Sequence, residues 1–191
     1  MTGTERQKYV VRTLTPRIID NEKTYIQGSL TGIQILFRQN DVGISRIGFR
    51  VPDGRSFKKI LDKHLLLPSI PEVGVEWDDV VLTQTLSQGK PSESDIMSFK
   101  VKVPVHNKIE SMTDVVEVPA GKFSDCLRLH SNGFAFHSGI NNIGRVLVEI
   151  DQTKWYAPGV GLVKSLLIET TSSDALSRGE LIMELESFTK S

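Results

Sequence analysis

The sequence contains a single cysteine, Cys126, which excludes an internal disulfide framework and leaves the redox compartment undecided. No apolar run approaches the roughly 20 residues that a membrane-spanning helix needs. Residues 1–12 also lack the apolar core of a signal peptide. Net charge is absent too: 23 Lys and Arg balance 23 Asp and Glu, and no basic run is interleaved with aromatics. Nucleic-acid binding therefore loses its usual electrostatic footprint. There is no convincing internal repeat, and helical spacing is confined to one short stretch. What remains is a chain of 191 residues read as a single β domain, 1–191, able to bury about 70% of its unfolded surface without staples.

Two stretches organise the rest. In Trp155–Lys164 (WYAPGVGLVK), Pro158 fixes its own φ and Gly159 can take the positive φ of a type II turn, so Ala157-Pro158-Gly159-Val160 reads as a reversal. Val146, Val148 and Ile150 alternate before it, and the β-branched and leucine-rich run 160–168 follows, which makes a hairpin. Val115–Leu129 is built alike. Val116 and Val118 lead into a Pro119-Ala120-Gly121 turn, after which Phe123, Leu127 and Leu129 alternate with polar neighbours, and Asp125 is expected at the strand's mouth.

In chain order, residues 8–14 and 24–37 read as strands around a polar Asp20–Lys23 turn, and Asn40-Asp41-Val42-Gly43 reverses into residues 44–51. Ser56–Leu66 suits a short helix and a strand equally, with Pro68 ending it. A connector from Pro68 to Gly74 precedes the anchor Trp77. Residues 80–86, 99–105, 109–118 and 181–188 supply further strands. About ten strands with hairpin-length links predict an all-β fold: a large curved antiparallel sheet, half-barrel or barrel-like, with at most one short helix.

Candidate chemistry is thin. Gly159-Val160-Gly161 lacks both the Lys-Ser/Thr ending of a Walker loop and the third glycine of a dinucleotide fingerprint, so it reads as a turn. Cys126 and His130 stand roughly 13 Å apart along a regular strand, too far for a dyad, and an unreactive packed thiol is expected. His130 and His137 share a face only if Asn132-Gly133 is a hairpin turn; if one strand runs through, they face opposite ways. No third metal ligand is apparent under either register. Glu76, Asp78 and Asp79, with Glu93 and Asp95, read as solvated charge rather than a carboxylate pair. No enzyme, metal site or cofactor is expected. The inner-face set Trp77, Phe123, Leu127, Leu129, Trp155 and Val163 is either core or the wall of an apolar cavity, and is the candidate ligand-binding set.

Val118-Pro119-Ala120-Gly121-Lys122-Phe123, Asp125-Cys126-Leu127 and the whole of Trp155–Lys164, led in by Leu67-Pro68, Gly74 and Trp77, resemble a VPAGxF…CL…WYAPGVGLVK pattern. It belongs to a family of bacterial cell-envelope lipoproteins and secreted proteins that includes those called TapB-like and is similar to the half-barrel carriers LolA and LolB. The resemblance covers about residues 65–190. It implies a secreted or lipid-anchored, periplasmic or outer-membrane-associated protein, and it carries over no catalytic residue. The sequence departs from the pattern in lacking a signal peptide and a lipobox cysteine. Met1-Thr2-Gly3 is read as a start replacing a removed leader, so membrane association is expected only through a leader or anchor outside this sequence. The function expected is a non-enzymatic envelope domain that binds or carries an apolar ligand such as a lipid acyl chain. The alternative is an interaction module with a solid core that binds another envelope protein.

Overall fold

The computed structural model describes residues 11–29, 32–52, 57–85, 87–88, 97–98, 100–138, 144–173 and 178–189. These form strands β1 (Val11–Ile19), β2 (Glu22–Ser29), β3 (Gln34–Gln39), β4 (Gly43–Arg50), β5 (Lys58–Pro68), β6 (Glu76–Leu82), β7 (Ser87–Gln88), β8 (Met97–Ser98), β9 (Lys102–Val118), β10 (Gly121–His137), β11 (Val146–Ala157), β12 (Gly161–Thr171) and β13 (Gly179–Glu184). No helix occurs among the described residues. All pairings are antiparallel, so the fold is all-β as expected. Two compact units divide between Pro71 and Glu72. The first holds a five-stranded meander in the order β1-β2-β3-β4-β5. In the second, a six-stranded sheet runs β13-β12-β11-β10-β9-β6, and β7 and β8 form a small ribbon.

Local chemistry accounts for the turns. Asp20 and Asn21 both take positive φ in a two-residue hairpin between β1 and β2, the conformation that Asp and Asn tolerate best. The Asn40 side chain accepts the N–H groups of Val42 and Gly43 and stabilises the next reversal. Residues 24–37, read as one strand, are two, because Gly32 turns the chain at positive φ and donates its N–H to the Ser29 carbonyl. Residues 99–105 and 109–118 are read as two strands, but from Lys102 to Val118 the chain is one strand, β9; residue 99 lies outside the described residues. The stretch Ser56–Leu66 is strand from Lys58 onward, within β5, and Ser56 lies outside the described residues. β4 offers an edge, and pairing Ile44 with Leu67 and Arg46 with His64 satisfies backbone groups; register shifts absorb the departure from strict alternation.

The second unit's sheet is asymmetric. One face carries Val103, Val105, Ile109, Leu129, Val146, Val148, Ile150, Val163 and Leu167, all buried, while the other carries most of the sheet's charged residues together with exposed apolar ones such as Phe134 and Phe136. With no helix among the described residues to cover it, the sheet buries that face by curling on itself. At one end Thr85, beyond β6, meets Glu169 on β12 and lies against Gly179 at the start of β13. At the other, Ala120 in the β9–β10 turn donates to the Leu185 carbonyl just past β13, 3.0 Å away. The two edges approach without pairing, so the sheet is curved and unclosed. Two apolar clusters fill its ends. Val101, Val103, Val105, Val146, Val148, Ile150 and Leu167 form one; Val116, Val118, Cys126, Ala157 and Val163 form the other.

Candidate functional site

Between those clusters the inner face turns polar. Cross-strand register sets out one row as Trp77, Asn107, Ser131, Gln152, Leu167 and Leu181, and the next as Ile109, Leu129, Lys154, Ser165 and Met183. Directly paired residues point to one face, so each row lines the inside of the curve. Ser131 donates to Asn107 Oδ1 at 2.6 Å and Gln152 donates to Ser165 Oγ at 3.3 Å, so each of the four uncharged groups has one partner among them. Lys154 is different. It is half-buried, and among the described residues its ammonium makes no hydrogen bond or ion pair within contact distance.

The inner face is also unevenly covered. Ile109, Leu129 and Ile150 are fully buried, yet Trp77 and Asp79 on β6, Gln152, Lys154 and Tyr156 on β11, and Leu181 and Met183 on β13 are only half-buried. They mark a trough between the unpaired edges, floored by β11, with aromatic and apolar walls and one cation. Burial pushes the Lys154 amine below the ordinary lysine value, and the Asp79 carboxylate, on the same face three strands away, partly offsets that. Burial pushes the Tyr156 phenol up. Asp79 already accepts the Val80 N–H at 2.7 Å.

The outer face carries more charge, and pairs it. Glu76 meets Lys108 at 2.7 Å and His106 at 3.3 Å, and His106 meets Asp78 at 2.9 Å. Arg128 spans Glu110 and Asp114, each at 3.1 Å, and His130 lies between Glu110 and Asp151. Hydrogen bonding to Asp78 raises the His106 pKa, with Glu76 adding to it. Bonding to Lys108 lowers that of Glu76. Beyond this ladder is an apolar corner, where Phe134 and Phe136 on β10 are 60% and 55% exposed and, across β9, Val80 and Leu82 on β6 are exposed too. The first unit holds a separate open cleft of about 240 Å³ lined by Arg12, Leu14, Gly28, Ser29, Gly32 and Gln34.

The six residues expected to share an inner wall are divided. Phe123, Trp155 and Val163 belong with the second apolar cluster. Leu127 and Leu129 are buried on β10, and Trp77 stands at the trough's β6 edge. Trp155 pairs in register with Arg128 and Lys164, and its Nε1–H donates to Asp114 Oδ2 at 3.0 Å. The bonds from Ser111, Trp155 and Arg128 hold the Asp114 carboxyl below the usual range. Cys126 is fully buried, its pKa raised by desolvation and by Asp114 and Asp125, and its Sγ points at the Phe123 and Ser124 carbonyls. β10 runs unbroken from Gly121 to His137, so His130 and His137 face opposite ways. Glu76 and Asp78, expected as solvated charge, have the partners His106 and Lys108; Glu93 and Asp95 lie outside the described residues.

Sequence reasoning missed Lys154, although the signal was present. The alternation Val146, Val148, Ile150 continues through Gln152, Lys154 and Tyr156, which puts a lysine on the apolar face. No protein-family model, curated protein or solved structure matches the chain.

Proposed function

We propose that the second unit is a non-enzymatic cell-envelope module, periplasmic or outer-membrane-associated, that holds the apolar chain of an amphipathic ligand such as a lipid. The supporting observation is the trough: a curled sheet whose ends are filled by apolar clusters while Trp77, Tyr156, Leu181 and Met183 between them stay partly uncovered. Binding sites for small amphipathic molecules combine such apolar walls with a few polar groups. The sequence resemblance to the TapB-like and LolA/LolB proteins supports the envelope setting. Native mass spectrometry of the chain, secreted through an added leader and purified without detergent, tests the reading. A retained mass that organic solvent releases as lipid is expected. A bare polypeptide that also fails to take up added fatty acid would remove it.

The second reading, binding of another envelope protein, is favoured by the outer apolar corner. There Phe134 and Phe136 meet edge-on at 6.3 Å and Arg145 lies 4.0 Å over the Phe136 ring. Replacing both phenylalanines by serine should abolish capture of a stoichiometric protein partner and leave lipid uptake intact. Loss of lipid uptake instead would count against this division of labour.

A further inference from the structure

We propose that Lys154 anchors the anionic head group, a carboxylate or phosphate, of the ligand held in the trough. The inference rests on the apolar-ligand reading above and adds the chemistry of the head group.

Three observations carry it. First, Lys154 is placed by register between Leu129 and Ser165 on the inner face, flanked along β11 by Gln152 and Tyr156, so its ammonium is committed to the interior of the curve. Second, the neighbouring uncharged side chains bond one another, Ser131 with Asn107 and Gln152 with Ser165, and Asp79 acts on the ammonium through space, without a hydrogen bond to it. A desolvated cation left without an acceptor is costly, and on the outer face of the same sheet Lys108 and Lys164 have carboxylates at 2.7 and 2.8 Å. The protein builds such pairs readily and does not build one here. Third, Ser165 accepts from Gln152 and so keeps its own hydroxyl proton to donate, which gives an oxyanion a second donor beside the ammonium. Asp79 is the group that opposes this arrangement, since its carboxylate faces the same interior and attracts the ammonium.

Calorimetric titration of the full chain with hexadecanoate, hexadecyl phosphate and hexadecanol tests the inference without any substitution. The two anions should bind at least about tenfold more tightly than the alcohol, the effect of one charge-assisted hydrogen bond. The stronger of the two identifies the head-group class. Lys154→Met, a chain of similar length without the charge, should bring all three ligands to the alcohol's affinity. Lys154→Arg should restore the preference, and Asp79→Asn should increase it. Equal binding of all three by the unmodified protein would overturn the head-group assignment and leave the trough reading standing. Binding of none would overturn both. Thermal melting of each variant accompanies the titrations, and the unmodified protein's selectivity decides the question even where a variant does not fold.

Discussion

The two faces of the six-stranded sheet treat charge in opposite ways. The outer face carries acidic and basic groups in alternation across β6, β9, β10 and β11, and pairs them where they meet. They sit in or near water, where each pair is screened and contributes little alone. The inner face carries very few charges, and each has large consequences. Glu169 is fully buried and takes three bonds of 2.7 Å, from the Gln84 and Thr85 N–H groups and the Thr85 hydroxyl. Lys154, two rows away, donates none among the described residues. Of these inner charges Glu169 fastens the fold, whereas Lys154 has only the through-space attraction of Asp79, a distinction that charge content alone does not reveal.

Removing Glu169 should break the comparison most severely. Glu169→Ala leaves buried donors without an acceptor where the chain beyond β6 meets β12, and should cost about 3 kcal/mol in urea unfolding. Glu110→Ala on the outer face should cost far less, and a similar loss in both would mean that burial does not set the difference. Next comes Gly133, inside the curve between Val105 and Ile150. A Cβ there would stand 2.0 Å from the Pro104 carbonyl oxygen, so Gly133→Ala should force the strands apart at about 1–3 kcal/mol. A neutral result would show that β9 and β10 separate freely at this point.

Trp155 links the second apolar cluster to the ladder. Trp155→Phe keeps most of the ring and loses the bond to Asp114, for a cost of about 1 kcal/mol. Because the Asp114 pKa is lowered on folding, its contribution is present above the unfolded carboxyl value and is lost as pH falls through the folded one. The variant should therefore lose less stability on acidification than the parent. Equal acid sensitivity would assign the shift to Ser111 and Arg128 alone.

The features legible in the sequence are those set by neighbouring residues. Pro158 and Gly159 dictate their reversal: Gly159 takes positive φ and the Val160 N–H returns to the Ala157 carbonyl. Asp125, expected at the strand's mouth, is exposed at positive φ where the register with β9 shifts. Alternation on β13 puts Leu181 and Met183 inward and Glu184 outward. Features that depend on register between distant strands were not legible. His106 finds Asp78 across 28 positions, and nothing near either residue announces it. Trp155 packs against the second apolar cluster, but the bond of its indole to Asp114 depends on pairing with Arg128, which nothing near it in the chain announces. Ser56–Leu66 was ambiguous because its spacing suits two structures, and the edge of β4 decides between them.

The smallest effect belongs to the outer ladder and is a shift rather than a loss. His106 bonds to Asp78 through Nδ1, with Glu76 near Nε2, and its folded pKa lies above the ordinary imidazole value of about 6.5. Whatever stability the ladder draws from the protonated ring is fully present below the unfolded pKa and fades as pH rises through the folded one. An NMR titration of the ring protons should place the midpoint above that of a histidine peptide, and Asp78→Asn should bring it down. Salt should reduce the shift, since the ring and both carboxylates are exposed. The corresponding inner measurement is the titration of the Lys154 amine. It should lie below the usual lysine value, respond weakly to salt, and rise when hexadecanoate occupies the trough, because an anion beside an ammonium favours its charged form. If salt moved both groups equally, the inner face would be as wet as the outer, and an anchored head group at Lys154 would lose its physical basis.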